Sequence, residues 1–162
     1  MVINYKRLND NTRDDGYEIP NKDQLINGIQ NCNIFSKFDC KSGFWQVKMH
    51  PESIEWTAFT CPEGHFEWLV MPFGLKNAPS VFQRKMDQIF LKYKKFVIVY
   101  IDDILVFCKS KKEHLGHLQI VFSEFMKHGI IISKKKIELF KQTVKFLGAE
   151  IGNGKIKTPN PY

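Results

Sequence analysis

The sequence has 162 residues, 43% of them hydrophobic, and Lys and Arg outnumber Asp and Glu by 24 to 17. This length suits one globular domain with a real core, and the positive excess is compatible with a polyanionic partner or with an ordinary solvated basic surface. The apolar run 96–108 is interrupted by two aspartates and the N-terminus has no signal-peptide pattern, which argues against a membrane protein and against a secreted one.

The first half of the chain predicts mainly strands. The N-terminal residues predict a strand, and apolar spacing after a polar loop predicts a short helix. Alternating apolar and polar residues then predict a strand that ends at Asp39, and a Pro- and Gly-containing turn predicts a hairpin. The predicted bounds are a strand over Met1–Tyr5, a loop over Lys6–Ile19, a helix over Asn21–Gln30, a strand over Ile34–Asp39, and a hairpin of Trp56–Thr60 with Phe66–Met71.

The second half mixes helices with strands. Apolar stripes predict two amphipathic helices, the second burying Leu115, Leu118, Phe122 and Phe125 and ending at a C-cap. The predicted bounds are helices over Ala78–Tyr93 and Lys111–Lys127 with the C-cap at Gly129, strands over Phe96–Tyr100 and Ile104–Phe107, and short strands over Ile130–Ile132, Val144–Leu147 and Ile151–Ile156. This order predicts an α+β domain with a largely antiparallel sheet packed on two or more helices.

The cysteines and histidines give no metal-site pattern. The four cysteines form no CxxC pair, and Cys40 and Cys108 lie in apolar runs where free Cys behaves as a small buried hydrophobe. We expect all four to be reduced, outside zinc sites and disulfides, in an intracellular protein. His114 and His117 could in principle share a metal on one helix, but without a further ligand we interpret them as surface histidines.

The tetrapeptide Tyr100-Ile-Asp-Asp103 carries the most chemical information. Adjacent carboxylates repel each other and Asp is depleted in strands, so this pair between two β-prone runs is unusual. At the tip of a tight hairpin both could point into one cleft, where a divalent cation such as Mg²⁺ would offset their repulsion. The alternative is a solvated turn, although a turn used only for chain reversal favours Asn-Gly or Asp-Gly.

Asp39 offers a third carboxylate at the end of a predicted strand. The segment after it contains Ser42 and Gly43, which could expose backbone N–H groups to a phosphate. Three carboxylates on neighbouring strand ends would suit phosphoryl transfer with two metal ions. The alternative is that Asp39 only caps a helix.

These motifs stand in the order found in the reverse transcriptases. Residues 35–46 (FSKFDCKSGFWQ), 71–83 (MPFGLKNAPSVFQ) and 100–103 (YIDD) resemble the successive palm motifs, 2–9 (VINYKRLN) resembles the preceding fingers strand, and 146–148 (FLG) resembles the primer-grip hairpin. The segments VINYKRLNDNT, FDCKSGFWQV and WTAFTCPEGHFEW are most similar to plant pararetroviruses of the caulimovirus group, particularly the bacilliform ones, and next to gypsy-type retrotransposons.

The resemblance implies catalytic and nucleotide-binding roles. Asp39, Asp102 and Asp103 would bind two Mg²⁺ ions, with Mn²⁺ able to substitute, and Phe44 would exclude a 2′-hydroxyl. From the residues alone, Phe44 is equally an ordinary core side chain. The residues implied to contact the nucleotide are Cys40, Ser42, Gly43, Phe44, Phe73 and Gly74. Retroviral enzymes typically have Gln where this chain has Phe73, so one polar contact to the nucleotide is lost.

The resemblance also implies contacts to template and primer. Gln83 would lie near the templating base, with an ordinary solvated helix residue as the alternative. Lys136 would protonate the departing pyrophosphate, although a run of three lysines is often only a solvated charged face. The residues implied to contact template or primer are Gln83, Tyr100, Ile101, Phe146, Leu147 and Gly148.

The expected function is that of an RNA-directed DNA polymerase core. Its partners would be an RNA or DNA template with primer and deoxynucleoside triphosphates, without a membrane, in the cytoplasm or a virus-like particle. We expect residues 1–157 to be a fingers and palm core truncated at both ends, with an irregular tail over 158–162. Thumb, connection and RNase H regions would belong to a longer polyprotein, and Lys6 or Arg7 would have to replace missing fingers residues. The alternative is a catalytically inactive, nucleic-acid-binding remnant of an integrated pararetrovirus or retroelement.

Overall fold

The computed structural model describes residues 2–29 and 31–158 and contains three antiparallel sheets with four α-helices. The helices are α1 (Lys6–Asp10), α2 (Lys22–Asn27), α3 (Ala78–Phe90) and α4 (Lys111–His128). The strands are β1 (Ile34–Asp39), β2 (Phe59–Cys61), β3 (Gly64–Phe66), β4 (Val97–Tyr100), β5 (Asp103–Cys108), β6 (Glu138–Lys141), β7 (Thr143–Phe146), β8 (Ala149–Gly152) and β9 (Lys155–Lys157). The predicted α+β class is confirmed.

The central sheet has the strand order β4-β5-β1-β6. Successive side chains of a strand point to opposite faces, so β5 divides its apolar residues between two cores. Ile104 and Val106 pack in the cluster that contains α3 and α4, whereas Leu105 and Phe107 pack with β7 and β8. Burial on both faces explains why β4 and β5 read as continuous apolar runs in the sequence.

Helix α4 begins and ends at recognisable caps. The Ser110 side chain accepts a hydrogen bond from the Glu113 N–H, and Gly129 has a φ of +64° as the predicted C-cap. Leu118 and Phe125 are buried against the sheet as predicted, but Leu115 is 55% exposed and Phe122 is 38% exposed, so the prediction was wrong for these two residues. The buried stripe of α4 includes His114, the residue before Leu115. Consecutive residues of a helix are about 100° apart around its axis, so Leu115 points away from the sheet.

Of the histidines in α4, His114 is an internal residue and His117 is partly buried, which corrects their interpretation as surface histidines. His114 is fully buried, and its Nε2 lies 2.6 Å from the Ser36 Oγ. Burial lowers the pKa of His114 to about 4, with a smaller contribution from His117, so the ring is neutral at pH 7. His117 stacks on the Phe96 ring at 3.8 Å and contacts the Cys108 Sγ at 2.8 Å. The predicted burial of Cys108 is confirmed.

The region between β1 and α3 is less regular than the sequence predicts. The hairpin of β2 and β3 is shorter than expected, and Trp56 lies in a 3₁₀ helix, Glu55–Thr57, that the strand prediction missed. The Thr57 hydroxyl explains this, because it donates to the Ile54 carbonyl and accepts from the Trp68 N–H. Thr57 thereby ties the 3₁₀ turn to the chain that leaves the hairpin.

The N-terminal segment does not form the predicted strand. Within residues 2–5 no strand is present, and α1 occupies part of the predicted loop. Tyr5 is buried, and its hydroxyl donates to the Thr57 carbonyl at 2.9 Å. The Asn21 side chain caps α2, which confirms a helix there, while Met1 and Gln30 lie outside the described residues.

A small sheet of β7, β8 and β9 covers the second face of the central sheet. The predicted strand Ile151–Ile156 is divided by a turn at Asn153 and Gly154, which have φ values of +51° and +68°. The predicted strand Ile130–Ile132 is only an isolated bridge from Ile132 to Cys40, and β6 was not predicted. Of the predicted tail, residues 159–162 lie outside the described part. None of the described helices is long and apolar enough to cross a membrane.

Candidate active site

The turn between β4 and β5 carries two of the predicted carboxylates. Tyr100 and Asp103 pair across the hairpin, so Ile101 and Asp102 form its two-residue loop. Ile101 has a φ of +55°, which is unusual for a β-branched residue. Its N–H donates to the Oε1 of Gln83 at 2.6 Å, and this bond holds the turn in that conformation.

Asp39 lies beside this turn at the end of β1. In the register of β1 with β5, Asp39 is directly opposite Asp103. The next residue, Cys40, donates its N–H to the Asp102 carbonyl at 2.8 Å, which joins the end of β1 to the turn. All three aspartates are partly buried. The sheet therefore brings Asp39, Asp102 and Asp103 together at the same end of its two inner strands, β1 and β5.

The pKa values of this group reflect burial and mutual repulsion. Burial, followed by the charges of Asp102 and Asp39, raises the pKa of Asp103 to about 6. Burial is also the main cause of the raised pKa of Asp102, to which Asp39 adds. Lys136 counteracts both shifts, and its Nζ lies 3.4 Å from the Oδ2 of Asp39. The structure thus places the predicted Lys136 beside the carboxylates.

The donor atoms suit a hard divalent cation, because Mg²⁺ prefers carboxylate oxygens. Raised pKa values of neighbouring carboxyls are also what a nearby cation would reverse. Among residues 2–29 and 31–158, however, no three His, Cys, Asp or Glu side chains are already arranged to hold a metal ion. The aspartates therefore fit Mg²⁺ in chemistry and backbone position, and their side chains are not arranged as a preformed chelate.

A tight turn after Asp39 packs against the carboxylates. Ser42 has a φ of +49°, and a 3₁₀ helix begins at Gly43. A Cβ added at Gly43 would lie 3.3 Å from the Cβ of Asp102 and 3.3 Å from the Cζ of Phe82. The absence of a side chain at Gly43 therefore allows this turn to approach the Asp102 loop. Whether Ser42 and Gly43 contact a phosphate stays a prediction.

Phe44 and Phe73 form an aromatic wall next to this turn. Their ring centroids are 5.2 Å apart, and Phe73 also contacts Trp45 at 5.6 Å. Phe44 is half-buried and Phe73 is 45% exposed, so the wall faces solvent. Gly74 follows with a φ of +96°, and the Asn9 side chain donates to its carbonyl at 2.8 Å. Asn9 was not predicted as a site residue, since only the tertiary contact reveals its role.

Cys40 is buried as predicted, whereas the burial of Gln83 was not predicted. Burial, followed by the charges of Asp102 and Asp39, raises the pKa of the Cys40 thiol to about 12, and the side chain is 2% exposed. The Gln83 amide is fully buried and donates to Val99 and Asp87, so the solvated-residue interpretation was wrong. Contacts of Cys40 with a nucleotide and of Gln83 with a template base stay predictions.

The remaining predicted residues lie on two hairpins. Tyr100 is partly exposed, with the Lys22 Nζ 5.1 Å from its ring centroid. Phe146 is buried, while Leu147 and Gly148 form the turn between β7 and β8 with φ values of +52° and +83°. The hairpin predicted there is present, and contacts of Tyr100, Leu147 or Gly148 with a primer stay predictions.

Comparison of structures assigns this fold to the polymerase fold of solved reverse transcriptases. The chain is similar to foamy viral protease-reverse transcriptase in complex with an RNA/DNA hybrid, with a TM-score of 0.91, 27% identity and coverage of 97% of this chain and 21% of that one. It is equally similar to the enzyme in complex with double-stranded DNA, with a TM-score of 0.91 and 28% identity over 96% of this chain and 27% of that one.

The chain belongs to the reverse transcriptase family. The family model described as "Reverse transcriptase (RNA-dependent DNA polymerase)" matches residues 1–151. The chain is 55% identical to the enzymatic polyprotein of Cauliflower mosaic virus (strain Strasbourg) over 154 residues, which are 95% of this chain and 23% of that protein. It is 51% identical to the Figwort mosaic virus enzymatic polyprotein, with the same coverage. Polyprotein P3 of Commelina yellow mottle virus is 50% identical over 97% of this chain and 8% of that protein.

These relatives confirm the predicted resemblance to caulimovirus-type reverse transcriptases. The chain spans less than a quarter of the length of each of these three polyproteins.

Proposed function

We propose that this chain carries the catalytic centre of an RNA-directed DNA polymerase. The observation that carries the proposal is the meeting of Asp39, Asp102 and Asp103 at the same end of β1 and β5, in a member of the reverse transcriptase family. The solved relatives bind an RNA/DNA hybrid and double-stranded DNA, and we extend both ligands to this chain as template and primer. The incoming substrates would be deoxynucleoside triphosphates.

In the proposed reaction the primer 3′-hydroxyl attacks the α-phosphate and pyrophosphate leaves. Asp39, Asp102 and Asp103 would hold two Mg²⁺ ions, whose chemistry would be to lower the pKa of the hydroxyl and to neutralise charge on the phosphates. Asp103, with a folded pKa of about 6, is largely ionised at pH 7–8 and can serve as a ligand there. Burial and, to a smaller extent, mutual repulsion raise the pKa values of Asp102 and Asp103, and a bound cation would offset both causes, which supports this role.

Residues around the carboxylates would orient the nucleotide. Phe44 would pack against the sugar and exclude a 2′-hydroxyl, and Phe73 with Gly74 would complete the pocket floor. Lys136 carries a positive charge 3.4 Å from Asp39, which is a suitable position to neutralise or protonate the departing pyrophosphate. Thumb, connection and RNase H regions would come from a longer polyprotein, since the related viral polyproteins are several times longer.

A second candidate is a catalytically inactive chain that binds nucleic acid. It is favoured by the finding that the aspartate side chains, within the described residues, are not arranged as a three-ligand group. The net charge of +7 would support binding of a polyanion without catalysis.

Primer extension with the purified chain separates the two candidates. The template is polyriboadenylate with an oligodeoxythymidylate primer, in Mg²⁺ or Mn²⁺, and the variants are Asp102→Asn and, as a matched control on exposed α1, Asp10→Asn. Extension that is lost only in Asp102→Asn supports the polymerase. Extension that survives in Asp102→Asn excludes the proposed role of Asp102. A folded chain that binds the hybrid but extends nothing supports the second candidate.

A further inference from the structure

A half-open cavity of about 580 Å³ lies away from the carboxylates. It is enclosed by α1 and the residues after it, by the segment 47–57 with its two 3₁₀ helices, and by the start of α3. None of the three aspartates lines it, and neither does Phe44, Phe73 or Gly74. The volume lies within the range of about 300–1,000 Å³ that is typical of small-molecule sites.

The interior of the cavity is apolar. Its wall comes from three separate segments of the chain, so no local sequence pattern reveals it. The apolar lining residues include Leu8, Val47, Met49, Met71, Leu75 and Val81. Such a surface favours the burial of an aromatic or aliphatic body from water.

The polar residues of the lining are basic or neutral. Lys48, Lys76 and Lys85 belong to it, and within the described part of the chain no Asp or Glu does. Lys48 and Lys85 are exposed, so their ammonium groups can meet a ligand at the rim while the wall contacts its body. A purely apolar ligand would contact only the apolar wall. A ligand with one anionic group would contact the wall and also pair with the ammonium groups of Lys48 and Lys85.

Hydrogen bonds hold the cavity wall in place without a ligand. Asn9 donates to the Gly74 carbonyl and accepts from the Lys76 N–H, both at 2.8 Å. Asn77 donates to the Arg13 carbonyl at 2.8 Å and accepts from the Asp15 N–H at 3.1 Å. These bonds connect the segment 9–15 to the segment 74–77, so a ligand would not have to order the wall at its own entropic cost.

We propose that this cavity binds small amphipathic anions, that is, molecules with an apolar body of one to three rings and a single sulfonate, carboxylate or phosphate group. The apolar wall would receive the rings, and Lys48 and Lys85 would pair with the anion. None of the residues proposed to bind metal or nucleotide lines this site, and its test does not need an active enzyme.

Two fluorescent probes that differ in one charged group test the proposal. The probes are 1-anilinonaphthalene-8-sulfonate and its uncharged parent N-phenyl-1-naphthylamine, titrated into the folded chain. We expect one saturable site for each. Val81→Phe places a ring in the cavity and should weaken both probes about tenfold or more. Ile89→Phe, further along α3 and outside the lining, should weaken neither.

The charge requirement is tested by the double variant Lys48→Gln with Lys85→Gln. It should weaken the sulfonate about 3- to 10-fold, as expected for two exposed ion pairs, and leave the uncharged probe unchanged. Its control is Lys95→Gln with Lys127→Gln, two exposed lysines outside the cavity.

Near-UV circular dichroism of every variant excludes dye binding to a loosened fold. Equal binding by Val81→Phe and Ile89→Phe in folded proteins overturns the site. Equal weakening of both probes by the cavity lysine pair overturns its preference for anions.

Discussion

The Oε1 of Gln83 accepts a hydrogen bond of 2.6 Å from the N–H of Ile101. Ile101 has a left-handed backbone conformation, which costs a β-branched residue about 1–3 kcal/mol and persists only where surrounding contacts over-determine it. The Gln83 Nε2 also donates to the Val99 carbonyl and to Asp87, and Asp87 accepts from the Tyr17 hydroxyl. A chain of hydrogen bonds thus extends from Tyr17 to the turn that carries Asp102.

Replacing Gln83 should therefore destabilise the turn formed by Ile101 and Asp102. In Gln83→Leu the Val99 carbonyl loses a partner in a buried site, and the Ile101 N–H and Asp87 each lose one in a partly buried site, so we expect a loss of about 2–3 kcal/mol in the free energy of unfolding. Urea denaturation measures it. Gln88→Leu, on the exposed side of the same helix, is the control and should change stability by about 0.5 kcal/mol or less. Equal free energies of unfolding for Gln83→Leu and the parent would contradict the proposal that Gln83 stabilises the Ile101 turn.

Gly43 should be required for the approach of its turn to Asp102. In Gly43→Ala the added Cβ meets two atoms at 3.3 Å, and we expect a loss of about 1 kcal/mol together with weaker metal-dependent extension. Gly116→Ala is the control, because its Cβ meets nothing within 4 Å and an Ala in α4 should stabilise by about 0.5–1 kcal/mol. Thermal unfolding and extension assays measure both. A Gly43→Ala protein with unchanged stability and activity would refute the close contact.

The carboxylate cluster should make stability depend on pH. Asp103 ionises near pH 3.8 in the unfolded chain and near 6 in the fold, so the unfolded state loses its proton first and the free energy of unfolding falls as the pH rises from about 4 to 6. Asp103→Asn removes this loss. With solvent screening discounted, we expect its Tm to exceed that of the parent by about 2–4 °C at pH 7.5 and to equal it below pH 4.

Magnesium should reduce the difference in Tm between Asp103→Asn and the parent protein at pH 7.5. A cation that binds only the folded aspartates stabilises the parent and raises its Tm with concentration, whereas Asp103→Asn should respond much less. Scanning calorimetry at several Mg²⁺ concentrations measures this effect. If the Tm difference between Asp103→Asn and the parent were the same at pH 3.5 and at pH 7.5, the pKa of Asp103 would not be raised in the fold.

Phe44 should control discrimination between sugars. Phe44→Val removes the ring that contacts Phe73 and Phe82, and we expect the ratio of ribonucleotide to deoxyribonucleotide incorporation to rise about 10- to 100-fold. Phe66→Val, on the exposed surface of β3, should leave the ratio unchanged. Single-nucleotide incorporation kinetics measure kcat/KM for each substrate. An unchanged ratio in an active Phe44→Val enzyme would assign Phe44 to core packing alone.

Much of the fold was predictable because its elements have strong local signals. Strand β1, the helices α3 and α4 and the Gly129 cap follow from periodicity and capping residues, which depend on neighbours within a few positions. The predictions that were wrong involve partners far away in the chain. The hydrogen bond between Thr57 and Trp68 stabilises a 3₁₀ turn where the sequence predicts a strand. Leu115 is exposed because the sheet contacts a neighbouring stripe of α4.

By itself the sequence determined the family and singled out Asp39, Asp102 and Asp103, because motifs in a fixed order need no long-range information to be recognised. Only the tertiary structure decided that Gln83 is fully buried beneath the Ile101 turn, that His114 is a neutral internal residue, and that three distant segments enclose a cavity. Burial and hydrogen-bond partners depend on which surfaces meet when the chain packs, and a local pattern specifies the faces of each element but not the surface that covers them.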